Sequence, residues 1–207
     1  MELLFLLTIL PGAFFAPVIH DFTKARVSAM LGDPTPKKYG FLTSNPFKFI
    51  EPIGFLFLFI FHYGWGKHVP TSPLYYKNRR NGIILTHVIP MFVNLSVGLL
   101  VLGVWRIIFN TIDFENMAVP YIVWEFTDQS VRYFGWINIG NAVFNLLPVH
   151  PLAGSKLITL FVSQNVNVKM HHYEKHLQLV LLFLLFFGFI GQIFGPMQTF
   201  LASLVWS

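Results

Sequence analysis

The chain has 207 residues, of which 55% are hydrophobic, 17% aromatic and only 11% charged, where an ordinary soluble domain carries about 25% charged residues. That balance excludes a typical water-soluble domain and makes a lipid bilayer the expected solvent, with 24 phenylalanines suited to lipid-facing and interfacial surfaces. The absence of cysteine excludes disulfides, thiolate metal ligands and a thiol nucleophile, and the net charge of +5 is confined to loops in a pattern that gives no reason to expect nucleic acid as a partner.

A membrane span needs about 20 mostly apolar residues, and in chain order the first such run is 2–22. It opens Met1-Glu2 without a basic leader segment, so it is read as a retained span and not as a cleaved signal. The run 53–61, extending at most to Trp65, is bounded by Pro52, Gly54 and Gly64 and is too short to cross. It is read as a re-entrant or interfacial segment. A second full-length run covers 82–110. The stretch 134–161 is long enough but contains Asn138, Asn141, Asn145, Pro148 and Pro151, so it is expected to be a broken span whose interrupted backbone is satisfied by protein or water. The last run, about 177–203, is rich in Leu and Phe and carries Gly188, Gly191, Gly195 and Pro196, which favour close helix approach or a kink. The fold class expected is an all-α polytopic membrane protein of about four transmembrane helices in a single domain, 1–207.

Nine of the fourteen Lys and Arg residues lie between Lys24 and Arg80, and Lys156, Lys169 and Lys175 follow the broken span. The positive-inside rule places these stretches in the cytoplasm, with Arg106 and Arg132 on the other face. A second role for the basic loops is contact with anionic lipid headgroups. The lipid bilayer and other integral membrane proteins are therefore the expected partners.

Three ordered blocks carry a family resemblance. Leu31-Gly32-Asp33-Pro34-Thr35-Pro36, with Gly40, Leu42-Thr43, Asn45-Pro46 and Glu51-Pro52-Ile53-Gly54, is the first. Gly64-Trp65-Gly66-Lys67 with Val69-Pro70 resembles a "GWAKPVP" segment, and Asn145-Leu146-Leu147-Pro148 through Pro151-Leu152 to Gly154 resembles "NLLPxPPLDG". Together they resemble the compact bacterial members of the site-2 protease family, intramembrane zinc metalloproteases. The resemblance implies a bacterial inner membrane location and a site-2 protease-like core over about 1–163, followed by one further helix over about 177–203. It also implies that the first block, which reads as extended pieces between Gly and Asn-Pro turns, is a membrane-dipping β-hairpin beside the site. Such a hairpin either holds a substrate strand or acts as a structural plug.

The resemblance also implies where chemistry should sit, and the residues found there have changed. An H-E-x-x-H helix puts two imidazoles on one face for zinc and a Glu beside them as base; the matching residues are His20, Asp21 and Lys24. An ammonium has no lone pair to give a metal. The third ligand, the Asp of "PPLDG", is matched by Ala153, and "AGPLSN" is matched by Ile89-Pro90-Met91-Phe92-Val93-Asn94, which keeps Asn94 but loses the small Gly. No catalytic residue and no zinc are expected at these positions. His150, where the family has Pro, is the fallback ligand with His20 and Asp21. Lys24 is expected either to pair with Asp21 or to snorkel to the interface. Asn94 and Asn145 are candidates for a substrate or partner backbone or for a bond to a neighbouring helix, and Phe57, Met91 and Phe144 complete the expected partner surface.

Three functions follow. The first is an inactive relative, a pseudoprotease that binds transmembrane segments or serves as a subunit of a membrane complex. The second is an active zinc protease remodelled around His20, Asp21 and His150. The third is a haem- or pigment-binding subunit using His20, His62, His87 or His150, although no haem attachment motif is present. The loops 34–45, 70–81 and 164–176 should face the cytoplasm. Single cysteines replacing Lys37 and Lys169 should therefore resist an impermeant maleimide added to intact cells, and labelling of either from outside would reverse the orientation.

Overall fold

A computed structural model describes residues 2–62, 65–112, 119–149 and 152–206; His150, one of the fallback ligands, lies outside the described residues. The long helices are α1 (Glu2–Met30), α4 (Arg79–Thr111) and α5 (Tyr121–Phe144), and the shorter ones are α2 (Thr35–Lys38), α3 (Pro52–Phe61), α6 (Ala153–Ile158), α7 (Gln164–His172), α8 (Glu174–Phe186) and α9 (Phe189–Ser203). In an apolar medium a helix satisfies its own backbone groups, which an open strand cannot do.

Two helices are long and apolar enough to cross a membrane, Leu6–Met30 and Arg79–Thr111. A third is reached only if α8 and α9 count together, and they are bent by 72°. The protein is thus membrane-embedded with two or three such elements, where the sequence predicts about four. Two differences account for this. The run 177–203, whose glycines and Pro196 favour a kink, turns sharply at Gly188, whose φ of 75° favours glycine. The expected broken span 134–161 holds the end of α5, a break after Phe144 and the short α6, but α5 itself starts at Tyr121; Glu125, Asp128 and Arg132 make its first half polar.

The hairpin expectation is also corrected. No strand occurs among the described residues, and the region folds as α2, a 3-10 turn over Pro46–Phe49 and the helix α3. Pro52 sits at the first helical position of α3, where its missing N–H costs nothing and its fixed φ suits the helix. Ten residues rise about 15 Å, so α3 cannot cross. Its outward stripe is Ile53, Leu56 and Ile60, while Leu58 is buried.

Helix α5 packs against both α1 and α4. At the α4 contact Gly98 and Gly135 face each other; a Cβ on Gly98 would stand 2.7 Å from the Gly135 carbonyl oxygen, so the backbones meet as small residues permit in membrane helices. Beyond them, at the end of α4 far from the basic loops, Arg132 pairs with Asp128 at 2.8 Å and lies 4.3 Å from the Trp206 ring centroid. Trp105 donates to the same Asp128 at 2.8 Å and stacks on Trp124. This is the aromatic and paired-charge composition of a membrane interface.

The opposite end is held by Asp33, which is 1% exposed. Its carboxylate accepts from Ser28 Oγ at 2.8 Å, from the Thr35 amide at 2.9 Å and from the Ser72 amide at 2.7 Å, while Ser28 Oγ also bonds Tyr76 at 2.8 Å. Burial pushes the Asp33 carboxyl up, but the bonds from Thr35, Ser72 and Ser28 outweigh it and hold the group below its ordinary pKa. A depressed folded-state pKa stabilises above the unfolded value and is lost as pH falls through the folded one. Asp33→Ala should therefore cost about 2–3 kcal/mol at neutral pH, and the gap to the parent in a detergent melting series should close only below about pH 4.

Candidate functional site

The site begins one turn before His20, at the carbonyl of Ala16. Asn94 of α4 donates its Nδ2 to Ala16 O at 2.9 Å and Asn141 of α5 does so at 3.3 Å. Asn94 Nδ2 also reaches Asn138 Oδ1 at 3.0 Å. All three asparagines are buried, and an amide that finds a partner inside a helix bundle avoids the cost of an unsatisfied polar group in hydrocarbon. These bonds set the register of α1 against α4 and α5, and so place His20, Asp21 and Lys24.

The second wall is the break after α5. Asn145 closes α5 by donating Nδ2 to Asn141 O at 2.9 Å, and its own carbonyl accepts from the Gly154 amide at 2.7 Å. Its Oδ1 accepts from the Ala153 amide at 3.4 Å. One asparagine therefore joins the end of α5 to the start of α6 across the turn. Gly154 is packed so closely on the carbonyls of Leu146 and Leu147 that a Cβ there would collide with them.

The third wall is the irregular segment 65–70, pinned by a bond from the Lys67 amide to Phe49 O at 2.8 Å. Gly66 lies directly against the Asp21 carboxylate, and a Cβ at position 66 would collide with Asp21 Oδ2. Trp65 closes the top and packs with Phe144, Leu152, Leu181, Leu185 and Ile190, with Phe57 at the edge. What remains between the walls is a cavity of about 20 Å³ whose polar lining comes from His20, Asp21, Lys24, His68, Asn141 and Asn145, with Ala153 and Leu152 opposite. That is room for one water molecule.

Lys24 follows neither sequence expectation. It is 6% exposed, so it does not snorkel to the surface, and no ion pair within 4.0 Å joins it to Asp21 among the described residues. Asp21 and Lys156 of α6 share its electrostatic neighbourhood. His87 of α4 lies in the same electrostatic neighbourhood and is bonded through Nδ1 to Ile83 O at 2.8 Å. His20 has Nδ1 without a hydrogen-bond partner.

A catalytic zinc takes three protein ligands and a water. Among the described residues no three His, Cys, Asp or Glu side chains gather to hold a metal. The position one turn after His20 holds a lysine, and the position across the cavity holds the methyl of Ala153. Among the described residues the donors at this cavity do not make a zinc tetrahedron. Nor does the cavity admit a macrocycle, and neither His62 nor His87 lines it.

Of the five positions assigned to a partner helix, Asn94, Asn145, Met91 and Phe144 are buried within the chain, and Phe57 alone is partly exposed. Contact at the four buried ones requires the helices to part. His68, Gly66, Trp65, Asn141 and Lys156 were not singled out by the sequence as site residues. Two of them carried a signal: Gly66 and His68 depart from the Ala and Pro of the "GWAKPVP" pattern.

No family model matches the chain, and no solved structure matches it. A curated protein of Bacillus subtilis (strain 168), named "Putative zinc metalloprotease YwhC", is 27% identical over 158 residues, which are 76% of this chain and 70% of that protein. By this likeness the chain is related to a metalloprotease-like protein, which agrees in kind with the resemblance carried by its motifs.

Proposed function

We propose that this is a pseudoprotease of the site-2 protease type, a membrane protein that engages the transmembrane segment of another membrane protein, or joins it in a complex, without cutting it. One observation carries this reading. Where the resemblance expects a metal and an open groove, the chain has the buried side chain of Lys24, the methyl of Ala153 and a cavity of about 20 Å³ closed by Trp65 and Gly66. An extended peptide does not fit a space for one water, and a lysine stands where a zinc helix has its second imidazole.

The scaffold, by contrast, remains built for contact. The stripe Ile53, Leu56 and Ile60 on α3 is more than half exposed and adjoins Phe57 at the edge of the cavity wall. Packing and a few polar contacts, the forces that join helices within lipid, are available there.

Metal analysis separates this reading from the remodelled enzyme. With His171, His172 and His176 mutated to remove adventitious binding, the purified protein should hold far less than one zinc per chain. Lys24→His combined with Ala153→Asp should raise the content towards about one. Stoichiometric zinc in the unmodified site, lost on His20→Ala, would establish the enzyme instead.

Photo-crosslinkers at Leu56 and Phe57 should capture discrete membrane proteins at full length. Capture of cleaved fragments would overturn the inactive reading, and capture of lipid alone would remove α3 as the contact surface.

A further inference from the structure

A cavity of about 360 Å³ opens at the other side of the basic end, between the last residues of α1 and the first turns of α4. Its lining divides by chemistry. Met30, Tyr75 and Leu85 form an apolar side, and Lys77, Asn78 and Asn81 form a polar one. Met30 is 85% exposed and Leu85 40%, so the apolar side is not covered by the chain itself.

The cavity stands where α4 changes character. Arg79, Arg80 and Asn81 give way at Gly82 to an apolar run. With 33 residues, α4 is about 50 Å long against a hydrocarbon core of about 30 Å, so its polar first turn projects into the headgroup layer. The cavity, with polar and apolar residues in its lining, stands at that change of character. Tyrosines at such a depth, with an apolar ring and a polar tip, suit the interface.

Charge identifies the occupant. Between positions 24 and 80 the chain has nine basic residues and two acidic ones, Asp33 and Glu51. The Asp33 oxygens are taken by Ser28, Thr35 and Ser72, and neither acid lines the cavity. Lys77 has no acidic partner among the described residues. A similar cavity of about 350 Å³ at the far end of the bundle has Arg132 in its wall, but that guanidinium is neutralised by Asp128 at 2.8 Å. Of these two cavities, the one beside α1 presents a cation without an acidic partner among the described residues next to an uncovered apolar wall.

We propose that this cavity is a binding site for an anionic phospholipid, with the phosphate against Lys77 and Asn81 and the acyl chains over Leu85 and Met30. The site is separate from the His20 cavity and stands whether or not the protein cleaves anything. Charge complementarity and continuity with the bilayer favour a lipid over a partner helix.

Native mass spectrometry of the full chain in detergent, titrated with phosphatidylglycerol and with phosphatidylcholine of the same acyl chains, tests this. Phosphatidylglycerol should bind at least about fivefold more tightly, the effect of about one basic side chain at an anionic headgroup. Lys77→Gln should remove that preference, Met30→Asp should weaken both lipids, and Lys169→Gln, in α7, should change neither. An unchanged melting temperature shows that each variant is folded. Equal binding of the two lipids would overturn the proposal, as would equal losses from Lys77→Gln and Lys169→Gln. Displacement by glycerol 1-phosphate at concentrations comparable to the lipid would show a free-phosphate site in which the apolar wall plays no part, and would overturn it too.

Discussion

Two helices aim their asparagine amides at one backbone carbonyl, that of Ala16, and the rest of the core follows from this convergence. In a bilayer the apolar surfaces of helices gain little by meeting each other, since lipid is as apolar as they are. Direction must come from small residues and from polar groups that have nowhere else to bond. Asn94 and Asn141 supply that direction from α4 and α5, and the close approach of Gly98 to Gly135 supplies the distance. Once Ala16 is fixed between them, His20, Asp21 and Lys24 have no freedom of register.

The same constraint shapes the cavity around His20. Asp21 is one methylene shorter than Glu, and the Gly66 backbone lies against its carboxylate with no room for even a Cβ. The pattern that resembles this segment has Ala there. A shorter acid and a smaller neighbour are thus two halves of one local adjustment, in which the 65–70 segment settles onto α1. Lys24 is retained inside the protein, within reach of the charge of Asp21 and beside a water-sized space, instead of on the surface.

Much of this was legible in the sequence because it depends on local runs. The apolar stretches of α1 and α4 announce themselves, and the positions of His20, Asp21, Lys24 and Ala153 follow from motif spacing. The hairpin expectation failed because turn residues such as Asn45-Pro46 and Pro52-Ile53-Gly54 suit extended structure and helix starts equally, and in lipid the helix wins by satisfying its own backbone. The start of α5 was missed because Glu125, Asp128 and Arg132 interrupt its apolar run. Those charges are accommodated by tertiary partners, Trp105 and Trp206 among them, that no local window contains. His68, Asn141 and Lys156 reach the site only through contacts between distant segments, which periodicity does not report.

The turn at Gly188 has a mechanical meaning. A side chain at that position would meet nothing within 4 Å, so the angle between α8 and α9 is set by backbone torsion and not by packing at the bend. Helix α9 is clamped, since Gln198 is buried and donates to Trp136 O at 2.8 Å. Helix α8 shows no such anchor among its described residues and shares a hydrophobic cluster with Trp65 through Leu181 and Leu185. The outer layer is therefore a fixed post carrying an arm, and the arm's inner edge is the weight that holds the indole down over the cavity.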